Sequence, residues 1–301
     1  MNFSDYILIS FGDSFTFGQD TVPGYKHQAH GLPAIHKQWK KDCNVNSYTQ
    51  VIADRMGFKD NLNFGIIGGS NERSLTLLES FLRNNPDKKV FVLFNFTSAS
   101  RFMNIFKVDG KNQYDIVDLI PNVEAREWIS EEKFEGINAR SIMQHYTYWR
   151  NSVQDVYSHI KDRRNLYYLL SSHNTPHVTF DIINNTDALM LRDNPLEYIL
   201  NNDGFGIKFM YKDDADYVLE EMGFFKSYYN EILTNTPLLC HMGIDELEGR
   251  KNIIEYLNSK AELEHEVYYS ENKHGSGHWN IKGHRVVGGF IEDFIKKKYE
   301  K

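Results

Sequence analysis

Tyr6-Ile7-Leu8-Ile9-Ser10-Phe11 runs directly into Gly12-Asp13-Ser14-Phe15-Thr16-Phe17-Gly18. The first six residues form a short apolar run stopped at a glycine, the pattern of a buried strand entering a tight turn. A serine just beyond such a strand, flanked by glycines that let the backbone bend sharply, stands where an open α/β sheet presents groups to a ligand. If that serine opens a helix, backbone N–H groups and the helix dipole favour negative charge developing beside it. The segment also has a purely structural reading, a serine N-cap after a Gly-Asp turn.

Downstream of Gly18, residues 18–46 read as an irregular stretch broken by Pro23, Gly24, Gly31 and Pro33, longer than connections in compact domains usually are. Ser47 to Met56 reads as a helix ended by Gly57, Asn61 to Phe64 as a second strand feeding the turn Gly65 to Gly69, and Ser70 to about Asn84 as another helix. Val90 to Phe94 is a third buried strand. Alternating strands and helices predict a parallel sheet with helices on its faces.

The middle of the chain is less regular. Residues 102–137 give no clear pattern, Ile142 to Ile160 is helical in spacing, Leu166 to Leu170 is strand-like, and 174–240 reads as mostly helical, with Asp214 capping a helix to about Leu233. Asp245 with Glu248 matches a capping box ahead of Ile253 to Leu257, and Val267 to Tyr269 reads as a last short strand. Val287, Phe290, Ile291, Phe294 and Ile295 then recur at helical spacing, giving one apolar face to lay on the sheet. No repeat or low-complexity linker divides the chain, so one domain over 1–301 is expected, with an insertion at about 102–240.

Composition narrows the function. A formal charge of −7 and a pI near 5.9 repel phosphate backbones and anionic lipid surfaces, which argues against nucleic-acid and membrane partners. The run Lys296, Lys297, Lys298 falls at a helix end, where cations complement the dipole. No basic start precedes an apolar stretch, and no apolar run nears the ~20 residues that span a bilayer, so a cytoplasmic or otherwise soluble protein is expected. Cys43 and Cys240 lack metal-type spacing. His27, His30 and His36 in the early loop and His173 and His177 around Pro176 do not form the three- or four-ligand set a metal needs, so neither metal nor cofactor is expected.

The segment from Phe11 to Gly18 resembles the first block of the SGNH, or GDSL-like, hydrolase family: a strand, then GDS, a small residue and glycine. The resemblance implies that Ser14 is a nucleophile whose own N–H contributes to an oxyanion hole. Near the other end, Gly277-His278-Trp279-Asn280-Ile281-Lys282-Gly283-His284 resembles the family's last block, His-Pro-Asn followed by Gly-His at the start of the final helix. His278 falls at the catalytic histidine, with Trp279 in place of proline. An imidazole suits the task because its unperturbed pKa of ~6.5 lets it take a serine proton near neutral pH and return it to the leaving group. His284 reads as a packed residue on the helix face.

Asn63-Phe64-Gly65-Ile66-Ile67-Gly68-Gly69-Ser70-Asn71 is similar to the second block, which places Gly68 as an oxyanion donor. Only glycine lets the backbone approach a tetrahedral intermediate with no Cβ in the way, although an ordinary glycine turn before a helix has the same composition. The third block, normally Gly-x-Asn-Asp, is replaced by Phe94-Asn95-Phe96-Thr97-Ser98-Ala99-Ser100-Arg101. Strand length puts Thr97 at the position of the asparagine, whose side chain the resemblance implies is the last oxyanion donor, with Asn95, two residues earlier, as the alternative. Arg101 suits an anionic or polar substrate group or a surface salt bridge equally well. Thr-Ser-x-x-Arg is the form associated with phage-encoded and bacterial surface-glycan members.

The family's acid lies three residues before the histidine, and here that position is Gly275. Glu271, a more distant carboxylate, or a backbone carbonyl in a Ser-His dyad are the alternatives for orienting His278. The resemblance covers residues 6–101 and 265–297 and implies a three-layer αβα sandwich with a central parallel sheet, flavodoxin-like, carrying a mostly helical insertion. It further implies a serine esterase acting on a small acyl group, such as acetyl, on a carbohydrate or other small-molecule ester. Two rivals stand beside it. One is a catalytically weakened glycan-binding or interaction protein, favoured by Gly275 and the altered third block, and the other is a transferase using the same serine.

Overall fold

The computed structural model describes residues 1–22, 33–97, 101–107, 114–119, 152–182, 240–243, 245–250, 252–260 and 278–300. Strands β1 (Ile7–Phe11), β2 (Asp60–Asn63) and β3 (Val90–Phe96) pair in parallel, and β3 continues two residues further than its apolar run suggests. Next come β4 (Phe102–Lys107) and β5 (Tyr114–Leu119), an antiparallel pair in a stretch with no clear sequence pattern. A sixth strand, β6 (His177–Asp181), lies parallel to β3 and completes a four-stranded sheet of order β2-β1-β3-β6.

That order decides where chemistry can occur. From β1 the chain steps outward to β2, then crosses back over β1 to reach β3 on its other side. At such a reversal the connections leave in opposite directions and open a crevice beyond the carboxyl ends of the strands. Ser14 follows the carboxyl end of β1 and Thr97 that of β3, so both stand at the crevice.

The helices fill the outer layers: α1 (Ser14–Phe17), α2 (Pro33–Val45), α3 (Tyr48–Met56), α4 (Asn71–Asn84), α5 (Ser152–Ser172), α6 (Ile253–Lys260) and α7 (Ile281–Tyr299). Alternate strand residues point to opposite faces. Leu8, Phe91, Leu93, Val178 and Phe180 pack with Ile52 of α3 and Val287 and Ile291 of α7. Ile9, Phe11, Val92, Phe94 and Phe96 pack on the other face with Leu78 and Leu82 of α4 and Leu166 and Leu170 of α5. Helices on both faces of a parallel sheet make the three-layer αβα architecture expected from the strand-helix alternation.

Four local expectations are corrected. Leu166 to Leu170 is the last part of α5, not a strand; Leu166 and Leu170 are buried four residues apart while Tyr168 is 60% exposed, a helical period. The stretch after residue 174 opens with β6 rather than a helix. Pro33 begins α2 inside the stretch taken as irregular, since proline suits the first turn of a helix, where its missing N–H has no partner to lose. α6 is capped by Asn252, whose Oδ1 accepts the Glu255 N–H at 2.8 Å, whereas Glu248 of the expected capping box sits in a turn with φ 54°. The expected helix Asp214 to Leu233 and strand Val267 to Tyr269 lie outside the described residues, as does most of the expected insertion; α5 and β6, within its bounds, belong to the core. Among the described residues no helix is long and apolar enough to cross a membrane.

Candidate active site

Gly12 makes the turn out of β1 with φ 149°. A Cβ there would collide with Thr16 Oγ1 and lie 2.8 Å from Asn95 Cβ, so the chain can pass only as glycine. Asp13 caps α1, its Oδ1 accepting the Phe15 N–H at 3.1 Å. Ser14 is then the first residue of α1, 4% exposed, and Gly18 closes the short helix in the left-handed conformation at φ 84°.

His278 arrives from the far end of the chain, two residues before Asn280, which caps α7 by accepting the Gly283 N–H at 3.0 Å. Its Nε2 lies 2.6 Å from Ser14 Oγ, so the two segments that resemble the family's first and last blocks meet in one hydrogen bond across 264 residues. The Phe15 ring, 4.9 Å from the His278 ring and 4.6 Å from that of Trp279, packs the two segments together. Trp279 is fully buried, which is how a large aromatic side chain fits a position where a proline was expected. His284 is the packed residue its helix-face position suggests: its Nδ1 accepts the Tyr48 N–H at 3.1 Å and its ring stacks on Tyr48 at 6.0 Å. Burial, and then the nearby His278, push its pKa down to about 3.

A carboxylate stands behind the imidazole, from a residue that sequence reading does not single out. Asp20 Oδ2 lies 3.6 Å from His278 Nδ1, and the two side chains are 8% and 14% exposed. Asp20 takes φ 67°, a left-handed conformation that Asp tolerates better than most residues. The next residue fastens the turn: Thr21 Oγ1 donates to the carbonyls of Gly18 at 2.8 Å and Cys43 at 3.2 Å. The signal in the sequence is faint, an acid two residues after the glycine that ends α1. Glu271 and Gly275 lie outside the described residues.

The second glycine turn is anchored on the first. Ile66 N–H donates to Gly12 O at 3.0 Å, and Asn63 Nδ2 donates to Thr16 O at 2.6 Å. Gly68 takes φ 71°, as a glycine is free to do, and its N–H donates to no backbone carbonyl among the described residues.

Around Asp13 the third segment forms a buried cluster. Asp13 is fully buried, and it accepts from Asn95 Nδ2 at 3.2 Å, Thr97 Oγ1 at 3.1 Å and Arg101 Nη1 at 3.1 Å. Arg101 Nη1 also donates to Thr97 Oγ1 at 2.6 Å. Of the two roles open to Arg101, its ion pair is therefore with a buried carboxylate, not on the surface. Asn71 clasps the Thr97 backbone, Oδ1 accepting its N–H at 2.8 Å and Nδ2 donating to its carbonyl at 3.2 Å. Beyond it, Arg163 pairs with Asp181 at 2.6 Å under the ends of β3 and β6. Among the described residues no group of three or more His, Cys, Asp or Glu is arranged to hold a metal ion. A cleft of about 200 Å³, lined in part by Tyr6, Lys88, Lys89 and Thr175, opens at the opposite, amino ends of the strands.

No protein-family model and no curated protein matches the chain. Several solved structures do. The psychrotrophic esterase EstA from Pseudoalteromonas sp. is 11% identical, with a TM-score of 0.40 over 99% of this chain and 100% of that one. A member of the lipolytic protein G-D-S-L family from Veillonella parvula is 11% identical, with a TM-score of 0.39 over 98% and 99% of the two chains. The lipase/acylhydrolase from Enterococcus faecalis is also 11% identical, with a TM-score of 0.36 over 97% and 96%. The fold assignment rests on the chain's own strand order and layers.

Proposed function

We propose that this protein is a serine ester hydrolase of the SGNH type, and the observation that carries the reading is the 2.6 Å contact between Ser14 Oγ and His278 Nε2 with the Asp20 carboxylate on the far side of the ring. A serine hydroxyl is a poor nucleophile unless a base removes its proton as the new bond forms. In the proposed reaction His278 Nε2 takes the Ser14 proton while Oγ attacks the ester carbonyl. The carbonyl π pair moves onto oxygen, where the N–H groups of Ser14 and Gly68 stabilise it. Collapse of the adduct expels the alcohol, which takes the proton from His278, and leaves an acyl-serine. Water, deprotonated by the same imidazole, then releases the acid and restores Ser14. Asp20 favours the imidazolium that exists between the two proton transfers.

The proposed substrate is a small acyl ester, an acetyl group on a carbohydrate being the form that the resemblance favours. Replacement of Ser14 by alanine should abolish hydrolysis of a short-chain nitrophenyl ester, and a fluorophosphonate probe should label wild type at Ser14. Turnover that survives Ser14→Ala removes Ser14 from the reaction. A wild-type chain that neither turns over nor labels is instead the binding protein that kept the fold, and acyl transfer to an added sugar outrunning hydrolysis marks a transferase.

A further inference from the structure

We propose that Arg101 supplies the side-chain hydrogen bond to the oxyanion formed at Ser14, the role that sequence position assigns to Thr97; the proposal rests on the ester-hydrolase reading. Asp13 Oδ1 accepts from Phe15 N and Asn95 Nδ2, and Oδ2 accepts from Thr97 Oγ1 and Arg101 Nη1. Four donors fill the ~four lone-pair sites of a carboxylate.

Two of the side chains in that set have nothing left to give. Thr97 has a single hydroxyl hydrogen, which goes to Asp13, and its oxygen already accepts from Arg101 at 2.6 Å. Asn95 has two amide hydrogens, directed at Asp13 Oδ1 (3.2 Å) and Thr16 Oγ1 (3.4 Å), while its Oδ1 accepts the Ile182 N–H at 3.2 Å. Neither can turn to a substrate without leaving Asp13 short of a donor, and an unsatisfied buried carboxylate is costly.

Arg101 differs. A guanidinium carries five N–H hydrogens in a rigid fork, and the two on Nη1 meet Asp13 and Thr97. The hydrogens on Nε and Nη2 meet no acceptor among the described residues. None of the guanidinium nitrogens is both sealed from solvent and unpartnered, and the side chain keeps 13% exposure while the carboxylate it grips is fully buried. The remaining donors therefore border open space beside Asp13, the residue next to the nucleophile, at the carboxyl edge of the sheet. A group held by an ion pair and a 2.6 Å hydrogen bond has little freedom left, so its donors need little reorganisation when charge develops on the carbonyl oxygen. Being ionised, they make stronger hydrogen bonds than a neutral amide or hydroxyl would.

The test uses the protein of residues 1–301, a short-chain nitrophenyl ester, and two single variants followed by kinetics and thermal melting. Arg101→Lys keeps a positive charge beside Asp13 and removes the fork; Thr97→Val removes the hydroxyl. Removing one oxyanion donor typically costs about 10²–10³ in turnover, so Arg101→Lys should lower kcat by about 100-fold with KM within about threefold of wild type. Its affinity for a boronic acid, which forms a tetrahedral adduct on the serine, should fall in parallel, and Thr97→Val should lose less than about tenfold in kcat. Should Arg101→Lys melt below the assay temperature, the pair Asp13→Asn/Arg101→Gln, which removes both charges together, is expected to stay folded and show the same loss. Wild-type turnover with Arg101→Lys left near full kcat overturns the assignment, as does a loss confined to KM or a larger loss from Thr97→Val. No turnover by wild type overturns the ester-hydrolase reading and this proposal with it.

Discussion

Asp20 Oδ2 stands 3.6 Å from His278 Nδ1, and Asp20 is only six residues beyond Ser14 in the chain. Ser14 and Asp20 are therefore held by one short segment, turned by Gly18 at φ 84° and fastened through Thr21, and the imidazole alone comes from elsewhere. The acid faces the ring from the chain's beginning rather than from three residues before the histidine. An amide in place of this carboxylate would favour the wrong imidazole tautomer and would not offset the imidazolium charge. Asp20→Asn should then lower kcat by about 10³–10⁴ and change KM little, with Asp20→Glu recovering part of the loss. Steady-state kinetics decide it; a kcat for Asp20→Asn within about tenfold of wild type means that another group orients the ring.

Gly12 and Gly57 separate crowding from conformation. Both have positive φ, 149° and 68°, but a Cβ at Gly57 meets nothing within 4 Å, whereas one at Gly12 collides with Thr16 Oγ1 and lies 2.8 Å from Asn95 Cβ. Gly57→Ala should cost about 1 kcal/mol of stability for the left-handed backbone alone. Gly12→Ala adds overpacking in a fully buried turn and should cost about 3 kcal/mol or more, lowering Tm by roughly 5–10 °C. Calorimetry of the two variants side by side checks the ranking, and equal losses would show that the space around Gly12 can relax.

The first half of the fold is legible because its signals are local. β1 and β3 each carry an apolar run, and α3 and α4 each carry an apolar period behind a cap, Ser47 and Ser70, whose side chains accept the Gln50 and Arg73 N–H groups. Ser14 and His278 are legible for the same reason, each lying within a short block of recognisable composition. β6 is harder, since Val178 and Phe180 alternate with Thr179 and Asp181 over a strand of only five residues, yet all four are buried. Leu166 to Leu170 is apolar throughout and fits either period until α5 is seen to expose Tyr168. Asp20 and the donors around Asp13 depend on a left-handed turn and on contacts spanning 82 to 88 residues, which no local pattern encodes.

His284 makes the fold less stable in acid. In the unfolded chain its pKa is near 6.5, and burial, with His278 next, lowers it to about 3 in the fold. Between those values the unfolded chain binds the proton and the folded chain does not, so stability is full above pH 6.5 and is lost as pH falls toward 3. At pH 4 the loss from this residue is on the order of 3 kcal/mol. His177, whose pKa is also lowered by burial, adds a loss of the same sign. Asparagine can keep an acceptor for the Tyr48 N–H while removing the titration. His284→Asn should be less stable than wild type at pH 7, where the ring's stacking on Tyr48 is missed, yet lose less between pH 7 and pH 4. Urea unfolding at the two pH values measures this; parallel losses in the two proteins would place the acid sensitivity elsewhere. The same neutrality bears on the proposed reaction, in which a His284 that stays uncharged puts no second positive charge beside His278 as it takes the Ser14 proton.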